Sequence, residues 1–193
     1  MSKTSIAFSV AGFTLACWLP VQAQQPAHQP PSKPIAGAPG HGGGAHLTEA
    51  QFVPMMTKHH QDGIEMAKRE EGNGASAEVK ALAAKIRQAQ ERELAEMQGH
   101  AAHGAAASEM ASHAEHQKME EQSQATMKRL QNASGEELDR VFLDEMAKHH
   151  QMAIDMVGRT TFKNAQMRQM AQKMAADQKQ ELGEIKRLQK KTS

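Results

Sequence analysis

The sequence of 193 residues has no tyrosine, one tryptophan and only five phenylalanines. It is rich instead in methionine, with 14 residues, and in histidine, with 11, alongside many alanines and glutamines. Aromatic residues favour strands, whereas alanine, methionine and glutamine favour helices. The composition therefore predicts a helical protein.

Long apolar runs are lacking beyond the amino-terminal segment. Residues 1–23 combine a basic Lys3, an apolar stretch at 6–19 and a small-x-small ending, which is typical of a cleaved signal peptide. That stretch is too short and wrongly flanked for a membrane span, and no later segment has an apolar run long enough to cross a bilayer. We expect an exported, periplasmic protein with no transmembrane segment in its mature chain.

Cysteine occurs once, as Cys17 inside the predicted signal peptide. A lipoprotein anchor at Cys17 is the less favoured alternative, because Thr14 and Leu15 fit that signal poorly. The mature chain is then free of cysteine, which excludes disulfides. Soft-metal chemistry in this protein must therefore come from thioethers and imidazoles.

An excess of charge of either sign is also absent. The chain has 23 basic and 22 acidic residues, so removal of Lys3 with the signal peptide leaves 22 of each. A formally neutral mature chain gives no indication of a nucleic-acid partner.

Helical patterns divide the rest of the chain. Thr48 begins "TEAQ" and Ser134 begins "SGEE", and both resemble capped helix starts. The predicted organisation is a disordered leader rich in proline, glycine and histidine at 24–47, a first helical hairpin at 48–99, a crossover rich in histidine and methionine at 100–133, and a second helical hairpin at 134–193.

An internal repeat connects the two hairpins. Phe52, Met56, His59, His60, Gln61, Ile64 and Met66 recur 90 residues later as Phe142, Met146, His149, His150, Gln151, Ile154 and Met156. The helices that follow match at an offset of 88 residues, which indicates a duplication. Two hairpins with one apolar stripe per helix predict an all-α, four-helix bundle in which a more variable helical crossover joins the halves.

Each half carries adjacent histidines between methionines, in "MTKHHQDGIEM" and "MAKHHQMAIDM". Helical spacing places His59 and His149 on the inward stripes, with His60 and His150 on their shoulders. Phenylalanine and methionine on these stripes offer no strong hydrogen-bond acceptor, a conflict that a bound metal would resolve. The alternative is that methionine only fills the core and histidine is a satisfied polar residue. The duplication of the whole pattern favours metal binding.

The crossover repeats the same residue types at intervals of three. We predict a second tier of candidate metal ligands, which consists of Met97, His100, His103, Met110, His113, His116 and Met119, together with Met152 of the second half. The alternative is a solvated helix rich in alanine and glutamine.

The phrases "FVPMMTKHHQDGIEMA" and "FLDEMAKHHQMAIDMV", with "LAAKIRQAQERELAEM" after the first, resemble the exported, ferritin-like family catalogued as domain of unknown function 305, which includes CopM-like copper-binding proteins. The resemblance covers residues 48–98 and 135–188. It implies binding of Cu(I) or Ag(I) for copper tolerance, and imidazole can also hold Cu(II). Carried over by position, the ligands would be Met56, His59, His60, Met66, Met146, His149, His150 and Met156.

Three other functions compete with this reading. A di-iron enzyme would need Glu-x-x-His, which the sequence lacks, so we expect no enzyme. A helical periplasmic chaperone is suggested by "LTEAQ" at 47–51, which resembles the motif of the CpxP and Spy group. A zinc buffer would gain little from thioethers. We therefore expect sequestration of Cu(I), with metal ions as partners and a copper exporter or periplasmic copper chaperone as a candidate recipient.

Overall fold

The computed structural model of the chain describes residues 46–101 and 113–192, with backbone alone for 100, 101 and 113–116. The predicted signal peptide and nearly all of the leader lie outside this part of the chain. The described elements are β1 (Leu47–Thr48), α1 (Glu49–Asn73), α2 (Ala77–Ala101), α3 (His113–Asn132), α4 (Gly135–Gly158), β2 (Thr160–Thr161) and α5 (Ala165–Thr192). None of the described helices is long and apolar enough to span a membrane.

The predicted helix starts differ in outcome. Thr48 forms a capping box with Gln51, in which the backbone N–H of Gln51 donates to the Thr48 hydroxyl and that of Thr48 to the Gln51 side chain. The prediction of a capped start at Ser134 was wrong in detail, since its side chain makes no capping hydrogen bond. Gly135 follows with a left-handed φ of 58°, so the chain enters α4 by another geometry.

Four helices form the bundle. Helix α1 packs along α2, α4 packs along α5, and the two pairs meet through α1 with α4 and through α2 with α5. Helix α3 lies against α1 and α4. The prediction of an all-α fold is confirmed, whereas its closer likeness to ferritin stays a prediction.

The two hairpins cap each other's second helix. A carboxylate oxygen of Glu49 in α1 accepts the backbone N–H groups of Lys163 and Asn164, just before α5, at 2.8 and 2.9 Å. Ninety residues later, Asp139 in α4 accepts the N–H groups of Ala75 and Ser76, just before α2, both at 2.8 Å. These contacts satisfy amides that a helix start leaves without partners. The duplication thus places equivalent caps at both ends of the bundle.

Two apolar clusters form the core. The first core cluster contains Met66, Ala67, Val79, Leu82, Ala83, Ile86, Leu130, Ala133, Leu138, Phe142, Leu143, Met146, Ile185 and Leu188. The second core cluster contains Leu47, Phe52, Met55, Met56, Met97, Met119, Ala153, Met156, Met167, Met170, Ala171 and Met174. In each of the four bundle helices, the residues of one cluster precede those of the other along the chain. The clusters therefore occupy opposite ends of the bundle.

Candidate metal centre

A layer of buried polar side chains separates the two core clusters. Its members, here called the central polar layer, are His59, His60, Gln90, His149, His150 and Gln178, all at most 8% exposed. Each lies in its helix between residues of the first and second core clusters. Buried polar groups lower stability unless they find hydrogen-bond partners or a metal. This layer is therefore where the bundle departs from an ordinary apolar core.

The two inward histidines stack on each other where α1 meets α4. The ring centroids of His59 and His149 are 3.6 Å apart, and the planes differ by 9°. Nε2 of His59 donates to the carbonyl oxygen of His149 at 3.0 Å, and Nε2 of His149 donates to the carbonyl oxygen of His59 at 2.9 Å. Because a carbonyl can only accept, each ring is the tautomer with its proton on Nε2. Nδ1 therefore carries the lone pair.

Burial keeps both stacked rings neutral. It lowers the pKa of His59 to about 3, with repulsion from His60 as the next cause. Burial likewise lowers the pKa of His149 well below its usual value, with repulsion from His59 next. A neutral imidazole can bind a metal, whereas a protonated one cannot. The pair is therefore ready to bind metal without first losing a proton, even in mild acid.

The neighbouring histidines are held by carboxylates of the second helix of each hairpin. Nε2 of His60 lies 2.7 Å from an oxygen of Glu93, and Nε2 of His150 lies 2.9 Å from an oxygen of Glu181. Nδ1 of His60 also lies 3.1 Å from the carbonyl oxygen of Met56. Both rings are 0% exposed, so the shoulder positions expected from helical spacing are covered by α2 and α5.

Several polar atoms of the central polar layer have no hydrogen-bond partner among the described residues. They are Nδ1 of His149, Nδ1 of His150 and both amide atoms of Gln90 and of Gln178. At Gly63, a Cβ would lie 2.7 Å from Cε1 of His149 and 2.9 Å from Cδ of Gln90. Because Gly63 has no side chain, the Gln90 amide and the His149 ring can both pack closely against α1 at this position.

A cavity of about 330 Å³ opens beside the stacked pair, between α1, α3 and α4. Both stacked histidines line it, together with four methionines, Met66, Met119, Met127 and Met152. Thioether sulfur and neutral imidazole are the donors that soft monovalent copper and silver prefer. Asp62 and Glu145 also line the cavity, but Asp62 is paired with Lys58 and Glu145 with Arg129 and Lys148. The remaining donors therefore fit a soft metal ion better than a hard one.

The structure brings some predicted ligands together and separates others. His59, His149, Met66, Met119 and Met152 all line the cavity. Met56 and Met156 lie in the second core cluster and Met146 in the first, while Met97 is buried in the second. His103 and Met110, as well as the side chains of His100, His113 and His116, lie outside the described residues.

Sequence reasoning missed Met127, both glutamines and the two carboxylates of this site. Met119, Gln122, Ser123, Thr126 and Met127 follow the i, i+3, i+4, i+7, i+8 spacing of one helix face, and all line the cavity. That signal was present in the sequence. The expectation that inward imidazoles lack an acceptor was wrong, because the acceptor is a backbone carbonyl of the opposite half, which no pattern along one helix can reveal.

Solved structures with the same fold include metal-bound proteins. A fragment from Deinococcus radiodurans is 24% identical, with a TM-score of 0.65 over 74% of this chain and 95% of that one. CopM in its Cu(II)-bound form is 26% identical, with a TM-score of 0.61 over 77% of this chain and 99% of CopM. Its Cu(I)-bound form is 28% identical (TM-score 0.58) and its Ag-bound form 27% (0.59), each over 75% of this chain and 97% of CopM.

The search of curated proteins gave no significant match. The profile of the family described as Domain of unknown function (DUF305) matches residues 49–189, which contain all four bundle helices up to the last turn of α5. The chain therefore belongs to the DUF305 family.

Proposed function

We propose that the protein binds Cu(I), and the chemically similar Ag(I), through imidazole nitrogen and thioether sulfur. The observation that carries the proposal is the neutral His59–His149 stack beside a cavity also lined by methionines. The lone pair on the buried Nδ1 of His149 accepts no hydrogen bond from any described residue, which suits a metal ligand. CopM, 26–28% identical to this chain, has solved structures with copper and with silver bound, and this likeness supports the choice of metal.

The proposed role is capture and release without a chemical step on the metal. Neither methionine nor a histidine with a strongly lowered pKa needs to lose a proton before binding. Such a site keeps its donors in acid, where thiolate sites lose theirs. With the signal-like residues 1–23, this favours a periplasmic protein that limits free copper or passes it to an exporter or copper chaperone.

Zinc binding is the second candidate, and the carboxylate–histidine pairs favour it. Glu93 and Glu181 lie within hydrogen-bond distance of His60 and His150, and zinc accepts both ligand types. However, within residues 46–101 and 113–192 no three histidine, cysteine, aspartate or glutamate side chains are grouped to hold an ion. The carboxylates are better explained as partners that orient the imidazoles.

A competition titration tests the proposal. The protein is titrated with Cu(I) and, separately, with Zn(II) under anaerobic conditions against chelators of known affinity. We expect tight Cu(I) binding that survives mild acid, and an increase in melting temperature with Cu(I). Absence of Cu(I) binding would contradict the proposal and would favour the periplasmic chaperone.

Paired substitutions locate the metal. We expect His59→Ala with His149→Ala to lose more Cu(I) than His28→Ala with His41→Ala, because the first pair forms the buried stack. His28 and His41 belong to the leader, outside the described residues. Circular dichroism of each variant checks that the helices remain. Equal losses in the two variants would contradict the assignment of the stack.

A further inference from the structure

Helix α3 of the crossover covers the cavity with a face of its own. Met119 on this face is 8% exposed, and Met127, two turns later, is half-buried. Between them Gln122, Ser123 and Thr126 also line the cavity. The opposite wall carries Met66 from α1 and Met152 from α4, beside the stacked histidines. Thioethers from three helices therefore converge on one space.

Helix α3 is fixed to α1 by one arginine. The Arg69 guanidinium donates to the backbone carbonyls of Leu130, Gln131 and Ala133, at 3.3, 3.3 and 3.1 Å. These carbonyls belong to the end of α3 and the residue after it, where a helix leaves acceptors unpaired. Arg69 thus holds the carboxyl end of α3 on the bundle.

Helix α3 is fixed to α4 by a buried carboxylate. Glu145 is 6% exposed and accepts from the Thr126 hydroxyl at 3.0 Å and from the Arg129 guanidinium. Both partners flank Met127 in sequence. These contacts, between residues that themselves line the cavity, hold Met127 at its wall.

Two of the four methionines at the cavity are incompletely buried. Met127 and Met152 are half-buried and line the cavity, and Met127 also packs against the first core cluster, whereas Met66 and Met119 belong to the core clusters. A methionine has three rotatable bonds, so its sulfur can reach a metal inside a space larger than the ion.

We propose that α3 completes a thioether site for Cu(I) or Ag(I), in which Met119 and Met127 join Met66, Met152 and the stacked histidines. This inference rests on the proposed function and adds to it that the crossover helix supplies part of the metal site. The class of ligand is a soft monovalent metal ion, since thioethers contribute little to binding hard or zinc-like ions.

The test compares two double substitutions in the full chain. Met119→Leu with Met127→Leu removes the two thioethers that α3 contributes to the cavity lining and leaves those of Met66 and Met152. Met167→Leu with Met174→Leu is the matched control, because these methionines of α5 are 3% and 2% exposed in the second core cluster and do not line the cavity. Exchange of methionine for leucine conserves side-chain volume and is well tolerated in cores.

Cu(I) affinity and the number of sulfur neighbours in copper X-ray absorption spectra are measured on both variants. We expect a loss of roughly tenfold or more in affinity and fewer sulfur neighbours for the α3 variant, with neither change in the control. Unchanged affinity and sulfur number in the α3 variant, or equal losses in both variants, would overturn the inference. If the α3 variant is unchanged while His59→Ala with His149→Ala still loses copper, the proposed function stands alone; if the unsubstituted protein binds no Cu(I), both fail.

Discussion

At the scale of single residues, the mutual hydrogen bonds of His59 and His149 decide which nitrogen can bind a metal. Each Nε2 donates to the carbonyl oxygen of the other histidine, so both protons are fixed on Nε2. The lone pairs on Nδ1 remain, and that of His149 is buried with no hydrogen-bond partner in the part of the chain that the structure describes. Because the two rings share these contacts, we expect the effects of substituting them on stability to be non-additive.

Gly63 gives a prediction at the same scale. We expect Gly63→Ala to destabilise the protein by about 1–3 kcal/mol, because its Cβ would crowd His149 and Gln90. Gly183→Ala is the control, since nothing lies within 4 Å of a Cβ at that position in α5. There alanine should stabilise the helix by up to about 1 kcal/mol. Urea unfolding measures the free energy of unfolding of both variants. A Gly63→Ala variant more stable than the unsubstituted protein would contradict the close packing of His149 and Gln90 against Gly63.

At the scale of elements, the end of α1 meets α4 through two carboxyl groups. Glu70 is fully buried, and a Cβ on Gly74 would lie 2.6 Å from Cδ of Glu70 and 2.7 Å from Oδ1 of Asp139. Burial, and next the neighbouring Asp139 carboxyl group, raise the pKa of Glu70 to about 8. Asp139 in turn caps α2 through the backbone N–H groups of Ala75 and Ser76.

This contact predicts how stability varies with pH. Unfolded Glu70 loses its proton near its ordinary pKa of 4.5, whereas folded Glu70 keeps it up to about 8. The folded state thus binds more protons in this window, so the contribution of Glu70 to stability falls as pH rises, by at most about 1.4 kcal/mol per pH unit. Above about pH 8 its contribution no longer changes.

We expect Glu70→Gln to remove that decline, since an amide of the same shape does not titrate. Denaturant unfolding of the two proteins at several pH values across the window measures the difference. Glu71→Gln, at a neighbouring and partly exposed position, serves as the control. If the free energy of unfolding varies with pH in the same way for Glu70→Gln and the unsubstituted protein, Glu70 is not protonated in the folded state.

At the scale of the whole molecule, the two hairpins hold each other by reciprocal caps. Asp139 is 2% exposed, whereas Glu49 is partly exposed. We expect Asp139→Asn to cost about 1.5–3 kcal/mol, because a buried amide oxygen replaces one carboxylate acceptor and leaves an N–H group at the start of α2 unpaired. Glu49→Gln should cost less, since water can replace its contacts. Thermal unfolding of both variants tests this, and a larger loss for Glu49→Gln would contradict it.

Much of the architecture followed from the sequence because it depends on local patterns. The repeat of Phe52 to Met66 at Phe142 to Met156 predicted two equivalent hairpins, and the structure has them. The spacing around His59 and His149 predicted that both point inward, and both are buried. The capping box at Thr48 was also predicted correctly. Periodicity and capping depend only on residues a few positions apart, so they can be read along the chain.

The composition and sequence of this chain alone determined an all-α fold, a duplication and a set of candidate soft-metal donors. Only the tertiary structure decided which donors meet. It stacked His59 on His149, covered His60 and His150 with Glu93 and Glu181, and placed Met127 of the crossover beside Met66 and Met152. The physical reason is that these contacts join residues far apart in the chain, across helices whose relative rotation is fixed by the packing of the whole bundle.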